Sequence, residues 1–392
     1  MSRASYDELE RKTSMRLGVF TYGMDKQLTG IGRYTVEVLN HLRQIAPATE
    51  IILINPYRDS SLPIYKEFEQ YFVPQLMRLP AVLTAGARTL EQAARALRLD
   101  ILHDPCGIAP FPITGFSKGD WKRVVTVHDA VPLLYPKLQP ALTRVTFQTR
   151  VRWSRFSSDA IVTVSESAKS DLIRTLKVPE SKVHVTELAT IQPSLDQIQR
   201  WRQQDLSGFG IRRPYFLFVG SINPRKNVGR ALQAFASLID EGIDAEFVLA
   251  GPPQRLLETT VLPEQTKNRI VSTGYLNDEQ LHVLYANAVA VVYPSLYEGF
   301  GLPVLEGMAH ATPVISSNVS SIPEVAGDAA LLIDPNDTNA ILNGMRAVLS
   351  DDSLASRLRQ KGYKQATRFD WATTARKTLQ VYNALLGKPS EE

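Results

Sequence analysis

Short apolar runs recur along the first half of the chain and alternate with longer amphipathic stretches. The runs cover residues 16–21, 51–54, 101–103, 123–127 and 160–164. Continuous apolar runs of this length are typical of strands that are buried on both faces, and the stretches between them are long enough for helices. This order predicts a parallel sheet with helices on both sides.

The second half of the chain repeats this pattern after a polar interval. Its predicted strands cover residues 215–219, 247–250, 270–273, 288–293, 313–316 and 330–333. The interval 192–213 is polar, contains a Gly-x-Gly sequence and has no clear strand, so we predict a linker there. The fold class is therefore α/β, with doubly wound parallel-sheet domains at 15–195 and 210–370. Such domains bind ligands at the carboxyl ends of their strands.

Length and composition agree with two soluble domains. The chain has 392 residues, which is too long for one ordinary core, with 44% hydrophobic and 21% charged residues. Residues 1–14 are polar without apolar periodicity, and we expect a flexible tail. The sequence has neither the apolar core of a secretory signal nor an apolar run near the roughly 18 residues of a spanning helix, so we expect a cytoplasmic protein.

Cysteine usage and net charge narrow the chemistry further. A single cysteine, Cys106, excludes a disulfide framework and any multi-cysteine metal site. It follows a strand-like run, and we interpret it as a small buried hydrophobe rather than a nucleophile. The net charge of +4 indicates a mild attraction to anions but is too small to predict a nucleic-acid partner.

The most informative segment is 288–307, where an apolar strand leads through a glycine turn into a helix. Pro303 suits the first position of that helix. Glu298 is then in the loop and Glu306 on the helix. The backbone N–H groups of Gly301 and Leu302 have no intrahelical acceptor, and together with the helix dipole they favour a phosphate. Because a carboxylate accepts hydroxyl hydrogen bonds from a sugar, the segment indicates a nucleotide-sugar site.

Two adjacent cations, Arg225 and Lys226, follow the strand 215–219 through a turn. Such a pair can neutralise a diphosphate, the arginine by a bidentate contact and the lysine as a point charge. A solvated basic pair before a helix is the structural alternative. No Asp-x-Asp sequence occurs in the chain, so the usual carboxylate pair for a metal-bridged diphosphate is missing. We therefore predict no essential metal and no cofactor other than the donor substrate.

Four motifs together resemble the retaining glycosyltransferases of family 4, which include mannosyltransferases and glycogen synthases. The Glu298-to-Glu306 spacing is similar to the family's Glu-x7-Glu signature, and residues 218–227 are similar to its phosphate-binding element. Residues 29–34 resemble its amino-terminal glycine loop, and His128-Asp129 its His-Asp pair. The motifs occur in the family's order, which makes the resemblance specific.

The resemblance implies the GT-B fold, which has two Rossmann-like doubly wound parallel-sheet domains facing a central cleft. A last helix near 371–386 is expected to cross back onto the amino-terminal domain. The resemblance also implies that Arg225 and Lys226 stabilise the diphosphate, and that His128 and Glu298 orient the transferred sugar. Glu306 is expected to hold the ribose hydroxyls, and the other expected substrate or nucleotide contacts are Gly30, Gly32, Gly220, Ser221, Tyr275, Leu276, Phe300, Gly301 and Leu302.

Structural alternatives stand beside several of these residues. Glu298 and Glu306 suit exposed positions at a helix start, and Tyr275 and Leu276 suit core packing. The stretch at Gly30 and Gly32 lacks the third glycine of a dinucleotide fingerprint, and its alternative is a flexible loop before a helix that starts at Arg33. His103-Asp104 has the same local pattern as His128-Asp129, which raises the alternative of one metal ion bound by both pairs.

A basic and aromatic stretch in the first domain suggests contact with a membrane. Arg144, Arg150, Arg152 and Arg155 are interleaved with Phe147, Trp153 and Phe156. The stretch could rest on anionic lipid, which would place the protein peripherally at the inner face of the membrane. An ordinary helix with snorkelling arginines is the alternative.

The sequence thus favours a retaining hexosyltransferase that acts in polysaccharide or glycoconjugate biosynthesis. The donor is a nucleoside-diphosphate sugar, GDP-mannose first and UDP-glucose or UDP-N-acetylglucosamine next, and the acceptor is a glycan or lipid-linked glycan. In the family's favoured mechanism the leaving diphosphate takes the acceptor's proton, so no dedicated base is required. The alternatives are a nucleotide-sugar epimerase or phosphorylase of the same architecture, and a non-catalytic sugar-nucleotide-binding subunit.

Overall fold

The computed structural model describes residues 15–26, 28, 30–108, 111, 119–136, 141–251 and 261–389. Within 141–150 it describes only the backbone of residues 141–143, 146, 147 and 150. The predicted tail 1–14 lies outside the described residues. The chain divides into two compact units, residues 1–188 with 371–392 and residues 189–370.

The first unit is built on a parallel sheet, which has seven strands within the described residues, in the order β3-β2-β1-β4-β5-β6-β7. The five predicted strands form its centre, where the apolar runs are buried. The strands are β1 Arg16–Phe20, β2 Glu50–Asn55, β3 Glu69–Phe72, β4 Ile101–Asp104, β5 Lys122–Thr126, β6 Ala160–Thr163 and β7 Val183–Val185.

Helices connect these strands and cover the sheet. The carboxyl-terminal helix, α15 (Trp371–Leu386), belongs to this unit and packs against α1 (Gly30–Ile45). Its Tyr382 is fully buried. The helices are α1 Gly30–Ile45, α2 Ile64–Glu67, α3 Leu79–Ala96, α4 Val131–Leu134, α5 Ala141–Ser157, α6 Glu166–Leu176 and α15 Trp371–Leu386.

The second unit repeats the plan around a second parallel sheet, which has six strands within the described residues, in the order β10-β9-β8-β11-β12-β13. Its strands are β8 Tyr215–Val219, β9 Glu246–Ala250, β10 Ile270–Gly274, β11 Ala290–Tyr293, β12 Val314–Ser317 and β13 Leu331–Ile333. Its helices are α7 Leu195–Arg202, α8 Val228–Asp240, α9 Glu264–Lys267, α10 Asp278–Asn287, α11 Leu302–Ala309, α12 Ile322–Ala326, α13 Thr338–Ser350 and α14 Asp352–Ala366.

The segment 192–213 is structured, which differs from the predicted linker. It contains α7, whose start carries a capping box formed by Ser194 and Gln197. Ile198 and Trp201 of α7 are buried in a cluster with α10. Two apolar residues one turn apart therefore attach this polar segment to the second unit, and the boundary between the units falls between Leu188 and Ala189.

The strand order of the second sheet places its switch point beside β8. β9 pairs with one side of β8 and β11 with the other, so the chain builds outward from β8 through β9 and β10 and then crosses back to continue on the opposite side. Ligands of open α/β sheets bind outside the carboxyl ends of the strands at such a point. The loops that follow β8 and β11 contain the predicted phosphate and sugar residues.

Candidate active site

A tight turn after β8 positions the two predicted cations. Gly220 has a φ of +131°, and a Cβ on Gly251 would approach the Gly220 carbonyl oxygen to 2.3 Å, so the loops after β8 and β9 need glycine here. A short 3-10 turn, Pro224–Lys226, follows, and the Asn223 side chain caps it by accepting the Lys226 backbone N–H.

The side chain of Glu298 lies between the two cations. Its Oε1 is 2.7 Å from the Lys226 ammonium and its Oε2 is 3.0 Å from the Arg225 guanidinium. The three groups are largely buried. Two positive charges share one negative charge, so the ion cluster carries a net charge of about +1 and can accept a further anion.

Glu298 is ionised at neutral pH despite its burial. Burial opposes ionisation, but the charges of Lys226 and Arg225 outweigh it and lower the pKa of the carboxyl. The Ser295 hydroxyl donates to the same carboxylate at 2.5 Å. Lys226 also donates to the Tyr293 hydroxyl and stands 4.8 Å from the centre of that ring.

Serine hydroxyls fix the backbone around Glu298. The Ser320 hydroxyl accepts the Glu298 backbone N–H at 3.0 Å, and the Ser321 hydroxyl donates to the Glu298 and Phe300 carbonyls at 3.0 and 2.8 Å. Sequence reasoning missed Ser295, Tyr293, Ser320 and Ser321. The Ser-Ser pair before α12 was a signal for a hydroxyl-stabilised turn, but nothing local linked it to a loop more than twenty residues earlier.

The glycine turn after Glu298 opens helix α11 as predicted. Gly301 adopts a φ of +108° at the N-cap, a position that favours glycine, and Pro303 lies in the first turn of the helix. The Phe300 ring is buried and packs edge-on against Phe369 with centroids 5.6 Å apart. A ligand contact at Phe300 would therefore involve its backbone.

Glu306 lies on α11 and is held by a tyrosine. The buried Tyr285 hydroxyl donates to Glu306 Oε2 at 2.6 Å. Burial raises the pKa of that hydroxyl, which keeps it protonated as a donor. Glu306 is half-buried.

Two histidines continue the packing behind Glu306. His310 Nδ1 lies 2.7 Å from the Glu306 carbonyl oxygen, and His282 Nδ1 lies 2.8 Å from His310 Nε2. A carbonyl only accepts, so Nδ1 of His310 carries the proton and Nε2 accepts from His282. Burial lowers the pKa of His310 to about 4, which keeps it neutral. Trp201 stacks on His282 with ring centroids 4.6 Å apart.

The remaining predicted nucleotide contacts of the second unit lie at the same end of its sheet. Gly274 has a φ of +71°, and its carbonyl accepts the Gly251 N–H at 3.1 Å, beside β8. Tyr275 is 79% exposed, which excludes the alternative of core packing for its ring. Leu276 is half-buried, and Ser221 is exposed next to Gly220.

His128 belongs to the first unit, where it follows β5. Its Nε2 lies 2.9 Å from the Pro105 carbonyl oxygen and its ring meets Tyr34 edge-on at 4.9 Å. Nε2 therefore carries the proton and Nδ1 has the lone pair. Burial lowers the pKa of this imidazole to about 4, so it is neutral at physiological pH. Asp129 accepts the Val131 backbone N–H at 3.0 Å.

The second His-Asp pair, His103-Asp104, has a structural role. This differs from the alternative in which both His-Asp pairs bind one metal ion. His103 is buried, with Nδ1 2.6 Å from the Tyr382 hydroxyl and Nε2 2.8 Å from the Thr126 hydroxyl. Among the residues that the structure describes, no group of three or more histidine, cysteine, aspartate or glutamate side chains could hold a metal ion. Burial raises the pKa of the Cys106 thiol, which argues against a nucleophile.

Gly30 and Gly32 lie in the first turn of α1, so the alternative of a flexible loop with a helix start at Arg33 is wrong. The helix begins three residues earlier, at Gly30. Gly32 is buried, and a Cβ there would come within 2.9 Å of the Leu28 side chain. The close approach of Leu28 explains the small residue at this position.

Two family models match the chain. The one described as Glycosyltransferase Family 4 matches residues 28–187, and the one described as Glycosyl transferases group 1 matches residues 199–365. The O-antigen chain mannosyltransferase B of Escherichia coli is 31% identical over 385 residues, which cover 91% of this chain and 97% of that protein. The chain belongs to glycosyltransferase family 4. The predicted resemblance is thereby confirmed.

Solved structures show that this family 4 glycosyltransferase has the predicted GT-B fold. Sucrose-phosphate synthase from Thermosynechococcus elongatus superposes with a TM-score of 0.74 at 18% identity, covering 95% of this chain and 99% of that one. HepE from Anabaena, in complex with UDP-glucose, superposes with a TM-score of 0.70 at 15% identity, covering 94% and 100%. None of the helices in the described ranges of this glycosyltransferase combines the length and apolar character that a bilayer crossing needs.

Proposed function

We propose that this glycosyltransferase moves mannose from GDP-mannose to a hydroxyl of a glycan or lipid-linked glycan, with retention of anomeric configuration. The ion cluster of Arg225, Lys226 and Glu298 is the observation that carries the proposal. The similarity to an O-antigen mannosyltransferase supports mannose and polysaccharide biosynthesis. The UDP-glucose complex of a structural neighbour supports a nucleotide-sugar donor.

The donor diphosphate would bind between the cations and the start of α11. The cluster has a net positive charge, and the first backbone N–H groups of α11 at Gly301 and Leu302 add the positive end of the helix dipole. As the sugar leaves, negative charge grows on the diphosphate, and preorganised cations in a water-poor site stabilise it strongly. The protein itself supplies this charge, so we propose that transfer needs no metal.

The proposed transfer occurs on one face of the sugar. The acceptor hydroxyl oxygen bonds to the anomeric carbon on the face that the diphosphate leaves. The bond between the anomeric carbon and the phosphate oxygen breaks, and the hydroxyl proton passes to the departing diphosphate. Glu298 orients the sugar hydroxyls and Glu306 accepts from the ribose. The role of His128 in orienting the sugar stays a prediction from the family resemblance.

A thermal-shift panel of nucleoside diphosphates tests the donor base. A nucleotide at one hundred times its Kd stabilises the protein by about 2.7 kcal/mol, which is easily measured. We expect GDP to raise the melting temperature more than UDP or ADP. A larger shift with UDP would reassign the donor to UDP-glucose or UDP-N-acetylglucosamine.

Proton NMR of the product tests retention. We expect an α-linked product from an α-linked donor. A β-linked product would overturn retention and make the neutral imidazole of His128 the general base.

The same assay after chelator treatment tests the metal-free proposal, and we expect product formation to persist. Complete dependence on added magnesium or manganese would contradict that proposal. Nucleotide binding without any donor turnover would instead favour the non-catalytic subunit.

A further inference from the structure

Helix α5 presents large apolar side chains to solvent. Val145, Trp153 and Phe156 are 56%, 46% and 50% exposed. Ten large hydrophobic side chains are exposed among the residues that the structure describes, and three of them lie on this one helix. Scattered exposed apolar residues need no explanation, but a concentration on one helix indicates a contact surface.

The exposed residues share one side of the helix. At about 100° per residue, Val145, Thr149, Arg152, Trp153 and Phe156 fall within a single arc, and all of them are exposed. The opposite side buries Val151, Ser154 and Ser157. The helix is thus attached to its unit by small residues and turns its large residues outward. We call the outward residues Val145, Arg152, Trp153 and Phe156 the α5 face.

The charge of α5 is uniformly positive. Its sequence has no aspartate or glutamate, and Arg144, Arg152 and Arg155 accompany the apolar residues. The Arg155 guanidinium lies 4.4 Å from the centre of the Phe156 ring, and Lys182 donates to the Arg155 carbonyl at 2.6 Å. An occupant of this surface must therefore match both apolar rings and positive charge. The side chains of Phe147 and Arg150 lie outside the described set.

We propose that the α5 face docks on the surface of an anionic lipid bilayer. Tryptophan and phenylalanine insert at the boundary between headgroups and acyl chains, and arginines beside them reach the phosphate groups. Each basic residue near an anionic surface adds to the attraction. A protein partner that matched this face would need acidic and apolar patches together, whereas an anionic bilayer offers both without further specificity. The proposal does not depend on the donor or on the stereochemistry of transfer.

Vesicle co-sedimentation of the full chain tests the docking. We expect the protein to sediment with vesicles of equal parts phosphatidylcholine and phosphatidylglycerol, to stay in solution with phosphatidylcholine alone, and to be released by salt. The double variant Trp153→Ser, Phe156→Ser should weaken partitioning at least about tenfold, since two inserted rings are lost. Arg152→Gln, at an exposed position that leaves the fold unchanged, should weaken it about fivefold.

Phe72→Ser provides the matched control, because Phe72 is a 44% exposed aromatic residue on β3, away from α5 in sequence. It should partition as the unaltered protein does. Failure to sediment with anionic vesicles, or an equal loss in Phe72→Ser, would overturn the proposal. So would a concentration-dependent dimer that forms without lipid and is abolished by Trp153→Ser, because the face would then bind a second copy of the chain. A thermal melt of each variant checks that its fold is intact.

Discussion

The chemistry of the second unit depends on a few side chains that share one carboxylate. Glu298 balances only one of the two positive charges around it, and Ser295 satisfies a further lone pair. If either cation is removed, Glu298 keeps a partner, so the loop should keep its conformation. Substitution of one cation should therefore change the chemistry more than the fold.

Lys226→Met should lower the rate of transfer by about one hundred- to one thousandfold, the usual effect of removing one stabilising donor from a developing anion. Release of nucleoside diphosphate from donor and acceptor measures this rate. Lys361→Met is the matched control, because Lys361 is paired only with the surface residue Asp328 in the ion pairs described for it. Turnover of Lys226→Met close to that of the control would contradict the proposed diphosphate site.

Glu306→Ala should weaken binding of the nucleoside diphosphate, because the ribose hydroxyls would lose a charged acceptor. A hydrogen bond to a charged group contributes about 1.5–3 kcal/mol, which is roughly a tenfold to 150-fold change in Kd. Calorimetry measures the change. Unchanged affinity in a folded variant would remove Glu306 from the site.

The variant Tyr285→Phe tests whether ribose binding depends on the orientation of the Glu306 carboxylate as well as on its presence. Loss of the 2.6 Å hydrogen bond should leave the carboxylate in place but less well oriented. We expect the preference for the ribonucleotide over its 2′,3′-dideoxy analogue to shrink, while the Kd of the analogue itself stays the same. An equal loss for both nucleotides would instead indicate a general structural effect of the tyrosine.

Among the elements, all six described strands of the second sheet and the central strands of the first could be predicted from the sequence, whereas the two edge strands of the first sheet could not. The run 215–219 matches β8 residue for residue, because a strand buried on both faces must be apolar throughout. The strands β3 and β7 were missed. Both lie at a sheet edge, and the polar residues in their sequences Glu-Gln-Tyr-Phe and Val-His-Val leave no continuous apolar run. Helix α7 was missed because only Ile198 and Trp201 mark its buried side.

In the candidate site, too, the residues within local motifs could be predicted from the sequence, whereas contacts between distant segments could not. The motifs placed Arg225, Lys226 and Glu298 at strand ends, where the fold brings them together. Their contacts with Tyr293 and with the serines before α12 depend on which strands are neighbours and on the course of the loops between them. Tyr285 approaches Glu306 from a different helix, α10. No local spacing in the sequence encodes this approach.

Gly301→Ala tests the turn that starts α11. The residue has a φ of +108°, and a Cβ would lie 2.6 Å from the Ile322 Cδ1 atom of α12. We expect the free energy of unfolding to fall by about 1–3 kcal/mol in urea titrations. Ile322→Val, which removes that Cδ1 atom, should recover part of the loss in the double variant. No loss in the single variant would show that the turn tolerates a side chain.

At the scale of the whole molecule, acid should destabilise the fold through its buried histidines. Burial lowers the pKa of His103 to about 3, whereas an unfolded histidine has a pKa of about 6.5. Below pH 6.5 the unfolded chain therefore binds a proton that the folded chain does not. The free energy of unfolding is unaffected by this residue above pH 6.5 and falls by about 1.4 kcal/mol for each pH unit between pH 6.5 and the folded pKa of about 3.

His103→Gln should flatten this pH dependence. An amide can bond with the Tyr382 and Thr126 hydroxyls but does not titrate. We expect the difference in unfolding free energy between the two proteins to narrow steadily as the pH falls from 6.5 to 4.5, as measured by urea titration at each pH. A constant difference across that range would show that His103 is protonated equally in the folded and unfolded states.

The return of helix α15 to the first unit has a consequence for biosynthesis. The second unit is one continuous segment, whereas the first needs α15, whose Tyr382 contacts His103 across most of the sequence. A chain emerging from the ribosome therefore has every residue of its second unit before the last helix of its first. We expect nascent chains whose first 370 residues have cleared the ribosome to protect the second unit from protease and to leave the first open to cleavage and to chaperones.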